Sequence, residues 1–432
     1  MKLHALVLSL AATLVGAGPA HAEDLLQVYA QARAADPLLA GADAQRGVQR
    51  ELATQARAAL LPQWSLGYSE TRYQADGARE QRSTSSLSQV LLDLGQLRRW
   101  QAETSLVSAQ DARVLAAEQD LCARVASAYF GVLSAQAALK NAEANEAAFA
   151  QQVQQAQERF KAGLSAAVDV EQARTYYQLS RGASIQAQES LADARQALAQ
   201  ITGQQPGALQ ALAADLQAQE PQPQDRQAWV EQALQANPAL QAQRLALQAS
   251  EQRIGAAGAV HLPTVSVGLD STRRQGSAVS EPDSGRSLTQ LALRLNIPLF
   301  AGGATESAKR QAVHQRDAVR EQLEAARRAL VRETEAQYQA VRASLALLQS
   351  SAAAVQAANQ ALASTRAGQA LGTRSMTDLL LAIQSQTAAQ GAHENARHRY
   401  VLATLLLQQA AGQLGEPTLA KLNLLLQSKG ES

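Results

Sequence analysis

The sequence predicts a mainly α chain with a transmembrane β-barrel portion, built as a duplicated unit of two strands plus long coiled-coil helices. Three observations point there. Residues 63–205 and 299–416 contain no proline, and apolar residues recur every seven positions in both tracts. Short segments ahead of the helical patterns alternate apolar and polar residues. Landmarks of the first half return in order in the second.

The chain of 432 residues opens on a processing signal. Met1-Lys2 is basic, Ala5 to Val15 is mostly apolar, and Ala20-His21-Ala22 has the small-x-small cleavage pattern, so the mature chain is expected to begin near Glu23. Without Lys2 the chain carries 38 basic and 38 acidic residues. That balance argues against a nucleic-acid partner, which needs clustered excess Lys and Arg. The single cysteine, Cys122, excludes an intramolecular disulfide and a Cys-based zinc site and reads as buried packing. After the signal the longest apolar run is Val401 to Leu407, broken by Thr404. A membrane-spanning helix needs about 18–20 apolar residues, so any insertion must use strands.

Helices come from the seven-residue spacing. Val107, Val114 and Leu121 form one series and Val125, Val132 and Leu139 another. Val153 and Phe160 continue the second phase beyond an interruption at Glu146. Val341, Leu348, Val355 and Leu362 repeat the habit in the second tract. Sustained spacing of this kind makes helices supercoil against neighbours.

The duplication follows from matched landmarks. Asp36-Pro37 returns as Asn237-Pro238 and Leu61-Pro62 as Leu262-Pro263, both 201 positions on. Tyr129, Gly163, Asp169 and Gly203 return as Tyr338, Gly372, Asp378 and Gly412, 209 positions on. The difference falls in Ser271 to Arg286, which reads as a lengthened polar loop.

Strands follow from period two. Trp64, Leu66 and Tyr68 alternate with Ser65, Gly67 and Ser69, as do Val265, Val267 and Leu269 with Ser266, Gly268 and Asp270. Leu291, Leu293, Leu295, Ile297 and Leu299 alternate with Ala292, Arg294, Asn296 and Pro298. The fourth candidate, Leu87 to Leu94, alternates poorly because Val90-Leu91-Leu92 is continuous. Apolar-out, polar-in strands of about 10 residues suit an outer-membrane barrel. Four strands cannot close one, so the membrane reading requires several copies.

The arrangement resembles the TolC-type outer-membrane channels of efflux and type I secretion. The resemblance is carried by Leu25-Leu26-Gln27-Val28-Tyr29 with Ala35-Asp36-Pro37, the Leu61-Pro62 strand entry, Pro298-Leu299-Phe300-Ala301-Gly302-Gly303, and Ala199-Gln200-Ile201-Thr202-Gly203. Its most specific carriers are the turns Arg159-Phe160-Lys161-Ala162-Gly163-Leu164 and Leu371-Gly372-Thr373-Arg374. It implies a homotrimer with a 12-stranded barrel in the outer membrane, continued into the periplasm by an α-helical barrel. The implied function is a passive gated exit duct, with a periplasmic adaptor and an inner-membrane pump (ABC or proton-driven) as partners and outer-membrane lipid around the barrel. The chain then divides into a signal peptide (1–22), a first repeat (23–221) and a second repeat (222–432). Strands are expected at about 62–74, 84–94, 263–273 and 286–300, and long helices at about 96–161, 165–203, 302–370 and 375–412. A belt of short elements is expected at about 204–235 and 413–432.

The same resemblance assigns sites. Asp169 and Asp378 stand where a helix dipole favours a carboxylate. In the family pattern Asp169 accepts bonds from Arg374 and from position 369, where the usual Tyr is replaced by Gln369. Asp378 forms a ring of three carboxylates, and the family's second Asp one turn on is Leu381 here. Ala162, Gly163, Leu164, Leu371, Gly372 and Thr373 resemble adaptor-docking turns. Trp64, Tyr68, Tyr73 and Phe300 lie near strand ends and suit the lipid–water boundary. Trp100 suits that boundary or a core contact equally.

Nothing points to an enzyme, a cofactor or a metal. His393-Glu394 and His398 are five apart, not the four that a zinc-protease helix needs. No phosphate-binding G-x-x-x-x-G-K-[ST] or nucleophile-elbow G-x-S-x-G occurs. The alternatives are a periplasmic adaptor, which would carry one hairpin rather than a tandem duplication, and a structural coiled coil of the envelope, which would lack the strand alternation.

Overall fold

A computed structural model describes residues 22–213, 216–279 and 284–427. The leader assigned to 1–22 therefore lies outside the described residues, Ala22 apart. In chain order the elements are α1 (Leu25–Ala35), α2 (Pro37–Ala58), β1 (Gln63–Arg72), β2 (Arg79–Leu92), α3 (Leu94–Lys161), α4 (Ala167–Thr202), β3 (Ala211–Leu212) and α5 (Arg226–Ala236). They continue as α6 (Pro238–Gly258), β4 (Thr264–Gln275), β5 (Ser287–Asn296), α7 (Ala304–Ala370), α8 (Met376–Ala410), α9 (Glu416–Asn423) and β6 (Leu426–Gln427).

The matched landmarks do matching work. Asp36 caps α2 by accepting the Leu39 N–H at 2.9 Å, and Asn237 caps α6 by accepting that of Leu240 at 3.1 Å. Each is followed by proline at the first helical position, where no N–H is needed. Gly203 and Gly412 end α4 and α8 at φ +72° and +73°, the left-handed region in which glycine alone is unstrained. The Tyr129 hydroxyl donates to the carbonyls of Gln210 and Glu23, and that of Tyr338 donates to Gln224. Both tyrosines thus tie a long helix to the short segments wrapped round its middle.

α3 has 68 residues and α7 has 67, each roughly 100 Å at 1.5 Å per residue. α3 packs along α4, and α7 along α8. The heptad residues Val114, Leu121, Val125, Val132, Val341, Leu348 and Leu362 are buried. The main core sits at mid-height, where Leu121, Tyr129 and Phe130 of α3 meet Val401 and Leu405 of α8, Leu25 of α1 and Leu419 of α9. Cys122 lies in this core beside Tyr29, and burial pushes its thiol up from the ordinary value. β3 and β6 form a two-stranded patch at the same level.

β1, β2, β4 and β5 make one antiparallel sheet in the order β1-β2-β4-β5, leaving β1 and β5 as edges. Three details correct the sequence reading. The continuous Val90-Leu91-Leu92 marks a bulge, because the register with β4 shifts between Val90 and Leu92. One extra residue there interrupts the alternation. β4 runs on to Gln275, past the expected end near 273 and into the stretch from Ser271 read as loop, with Ser271 to Gln275 paired to β2 from Ser85 to Gln81, so the long second loop starts only at Gly276. β5 ends at Asn296, short of Leu299, because Pro298 has no N–H to give the ladder. Among the described residues no helix is long and apolar enough to cross a membrane.

Candidate functional site

Two regions carry the candidate residues: the sheet at one end and the helix tips at the other. Directly opposed residues of neighbouring strands share a face. Trp64 opposes Leu87, Leu87 opposes Leu269, and Leu269 opposes Leu291. Leu66 and Tyr68 stand on this face of β1, and Leu293 and Leu295 on this face of β5. Toward the helices this face is apolar and uncovered, with Leu291 at 76 % exposure and Trp64 also at 76 %, whereas toward the loops it carries Glu70, Arg72, Arg79 and Arg273. The opposite face carries Ser65, Gly67, Thr84, Ser86, Gly268 and Gln290, with charged residues among them.

Of the interface aromatics, Trp64 donates its indole N–H to Ser85 Oγ at 2.9 Å, and the Tyr73 hydroxyl donates to Glu80 at 3.2 Å. Tyr68 is exposed on the apolar face, and Phe300 is 88 % exposed beyond the end of β5. Trp100 is half-buried in the first turns of α3.

At the other end two tight turns reverse the long helices. Gly163 and Gly372 hold φ +71° and +75°. In each, the glycine N–H bonds back three residues and the next N–H bonds back five: Gly163 to Phe160 and Leu164 to Arg159, Gly372 to Gln369 and Thr373 to Gly368. Ala162, Leu164, Leu371 and Thr373 complete these exposed tips. The tips are joined by an apolar cluster in which Phe149 and Ala156 of α3 and Val170 and Ala173 of α4 meet Met376, Leu379, Leu380 and Ile383 of α8. One hydrogen bond crosses beside it, from Thr377 Oγ1 to Gln172 Oε1 at 2.8 Å.

The four gate candidates are gathered at these tips but are not bonded as the sequence suggests. Asp169 stands in the first turn of α4, and among the described residues no bond within the chain joins it to Gln369 or Arg374. The Gln369 amide is turned back onto Met376 Sδ at 3.6 Å. The Arg374 stem folds over Gly368, where a Cβ would come within 2.7 Å of its Cγ. Asp378 closes a capping box, accepting the Ser375 N–H at 3.0 Å while its own N–H donates to Ser375 Oγ at 3.1 Å. These bonds from Ser375, with the charge of Arg374 nearby, hold its carboxyl below the usual range.

His393 and His398 serve helix packing. Ser351 Oγ and His393 Nδ1 are 3.1 Å apart, and Ser134 Oγ and His398 Nδ1 are 2.7 Å apart, so α8 is tied to α7 and to α3. Sequence reasoning missed the Gln172–Thr377 bond, because both residues belong to a background rich in Gln, Ser and Thr with no periodic mark.

The comparisons with known proteins bear on both ends at once. Residues 28–204 and 229–413 match the model of the family described as Outer membrane efflux protein. The chain belongs to that family. It is 34 % identical to the outer membrane protein TolC of Vibrio cholerae over 93 % of each chain, and 31 % identical to TolC of Escherichia coli over 93 % of this chain and 85 % of that one. The alkaline protease secretion protein AprF of Pseudomonas aeruginosa is 27 % identical over 93 % of this chain and 86 % of its own. Among solved structures, CusC superposes with a TM-score of 0.80 at 20 % identity, covering 90 % of this chain and 92 % of that one. VceC of Vibrio cholerae superposes at 0.79 and 22 % identity, covering 90 % and 96 %. The chain is an outer-membrane exit duct of efflux or type I secretion, a conduit that reaches into the periplasm and performs no catalysis.

Proposed function

We propose that three copies of this chain close edge to edge into a 12-stranded barrel, and that their long helices continue it as a tunnel through the periplasm. The carrying observation is the four-stranded sheet with two unpaired edges and one uncovered apolar face. Unpaired strand edges are not tolerated in hydrocarbon, so β1 of one copy pairs with β5 of the next. Trp64 and Phe300 then stand at the lipid–water boundary, whereas Tyr68 lies mid-strand on the apolar face and Tyr73 bonds the polar-face Glu80. The short elements at 204–235 and 413–432, of which 214–215 and 428–432 lie outside the described residues, form a belt at mid-height, and the repeats divide at about 221.

In this reading the tips form the periplasmic mouth. A periplasmic adaptor docks on Ala162, Gly163 and Leu164 and on Leu371, Gly372 and Thr373, and an inner-membrane pump, ABC or proton-driven, supplies the energy. Among the described residues no bond joins the Asp169 and Arg374 side chains, so their link is assigned to adjacent copies. Gln369 spends its amide on Met376, which leaves Arg374 to carry that link. Asp378 of each copy lines the mouth.

Fractionation tests the assembly: heat-modifiable oligomers in outer membranes are expected, and a soluble periplasmic monomer overturns the proposal. Arg374→Ala or Asp169→Ala is expected to raise single-channel conductance in planar bilayers. Unchanged conductance in both removes the gate assignment. Gly372→Trp is expected to abolish export in cells while oligomers persist, and loss of the oligomers assigns that turn to folding instead.

A further inference from the structure

The polar face of the sheet holds five charged side chains among the described residues: Glu80, Arg82, Asp270, Arg274 and Arg294. Arg294 is matched one to one. It lies across Gly268, where a Cβ would come within 3.3 Å of its guanidinium, and reaches Asp270 at 3.2 Å. The other three are unbalanced. Arg82 of β2 and Arg274 of β4 are directly opposite in the register. Like charges at directly opposed positions destabilise a sheet. A single carboxylate serves both, Glu80 Oε1 standing 3.2 Å from Arg82 and 3.8 Å from Arg274, while its other oxygen accepts from Tyr73. Glu80 is mostly covered, but Arg82 and Arg274 remain 42 % and 51 % exposed. Each contacts Glu80 through one nitrogen, so among the described residues most of the donors of both guanidinium forks have no acidic partner.

We propose that Arg82 and Arg274 form an anion-binding site on the lumenal wall of the barrel, toward its loop end, one site per chain. Two adjacent guanidinium forks match the oxygens of a phosphate-type or carboxylate oxyanion, which either fork can hold bidentately. Glu80 fixes the pair and leaves it with a net positive charge. A low-dielectric wall strengthens the field of such a group. The inference rests on the closed-barrel reading, since only closure turns the polar face inward.

The test is single-channel recording of the purified full chain in planar bilayers, with inorganic tripolyphosphate as the probe. The wild type is expected to show concentration-dependent block. Arg82→Gln with Arg274→Gln is expected to raise the half-blocking concentration at least tenfold and to move the reversal potential in a KCl gradient toward cation preference. Glu80→Gln, which removes the one neutralising charge, is expected to lower the half-blocking concentration severalfold. A role confined to folding moves none of these in open channels. Open channels indifferent to the probe, or equally blocked in all three proteins, overturn the site and leave the conduit standing. Absence of any conductance from intact oligomers overturns the lumenal reading, and the site with it.

Discussion

Asp36 does two jobs at the junction of α1 and α2. Its carboxylate caps α2 and also takes a two-pronged contact from Arg124 of α3, at 3.0 and 2.8 Å. The side chain is 2 % exposed, and the Arg124 bonds hold its carboxyl well below the usual range. Removing one partner of a buried pair strands the other charge, so Arg124→Ala is expected to cost about 3 kcal/mol, read as a lower midpoint in denaturant melts. His398 is shifted by burial in the same core, and its ring is held neutral down to about pH 4. Glu394 opposes that shift and Arg397 adds to it. A lowered pKa means that the unfolded chain takes up the proton first as pH falls, so stability declines between about pH 6.5 and 4. Asp36 adds a loss of the same sign at lower pH, as its carboxylate is titrated. We expect His398→Leu to flatten the melting temperature against pH between 6.5 and 4, while wild-type protein loses roughly 3 kcal/mol over that range. An unflattened profile assigns the acid sensitivity elsewhere.

At the scale of the element, the two helix pairs meet along a sparse polar seam. Ser134 bonds His398, Asn145 bonds Thr387 and Gln172 bonds Thr377, with Gly391 leaving room for Asn141. Thr377→Val removes the bond nearest the tips without changing the shape. It is expected to leave oligomer melting within about 1 kcal/mol of wild type, the usual worth of one such bond, while widening the motion of α8 seen by amide hydrogen exchange near Met376. The long helices and their turns were legible because each has a local cause: spacing by sevens buries one stripe, and Gly163 and Gly372 permit a positive φ. The sheet was half legible. Alternation marked β1, β4 and most of β5, but the bulge at Val90 and the strand character of Ser271–Gln275 depend on the register with a neighbour far along the chain. The same limit applies to function. Arg82 and Arg274 lie 192 positions apart, and only the register sets them side by side. Asp169 and Arg374 were candidates only through the family resemblance that the turns before them carry, and among the described residues no bond joins their side chains.

For the whole molecule the decisive asymmetry is between the two faces of one sheet. Adjacent residues on β5 point to opposite media, so one pair of substitutions can separate them. Leu291 stands on the apolar face, and Gln290 next to it stands on the polar one. Arginine on the lipid face of a barrel costs about 2–4 kcal/mol per copy near the bilayer midplane, and the cost multiplies by the number of copies that close the barrel. Arginine on the lumenal face stays in water and meets only its neighbours. Leu291→Arg is therefore expected to deplete heat-modifiable oligomers from outer-membrane fractions, while Gln290→Arg leaves them intact and shifts ion selectivity toward anions. Both chains keep the long helices and the mid-height core, so both are expected to retain the helical circular dichroism of wild type. Equal insertion of the two variants would mean that the apolar face does not meet lipid, and that the sheet closes against protein instead.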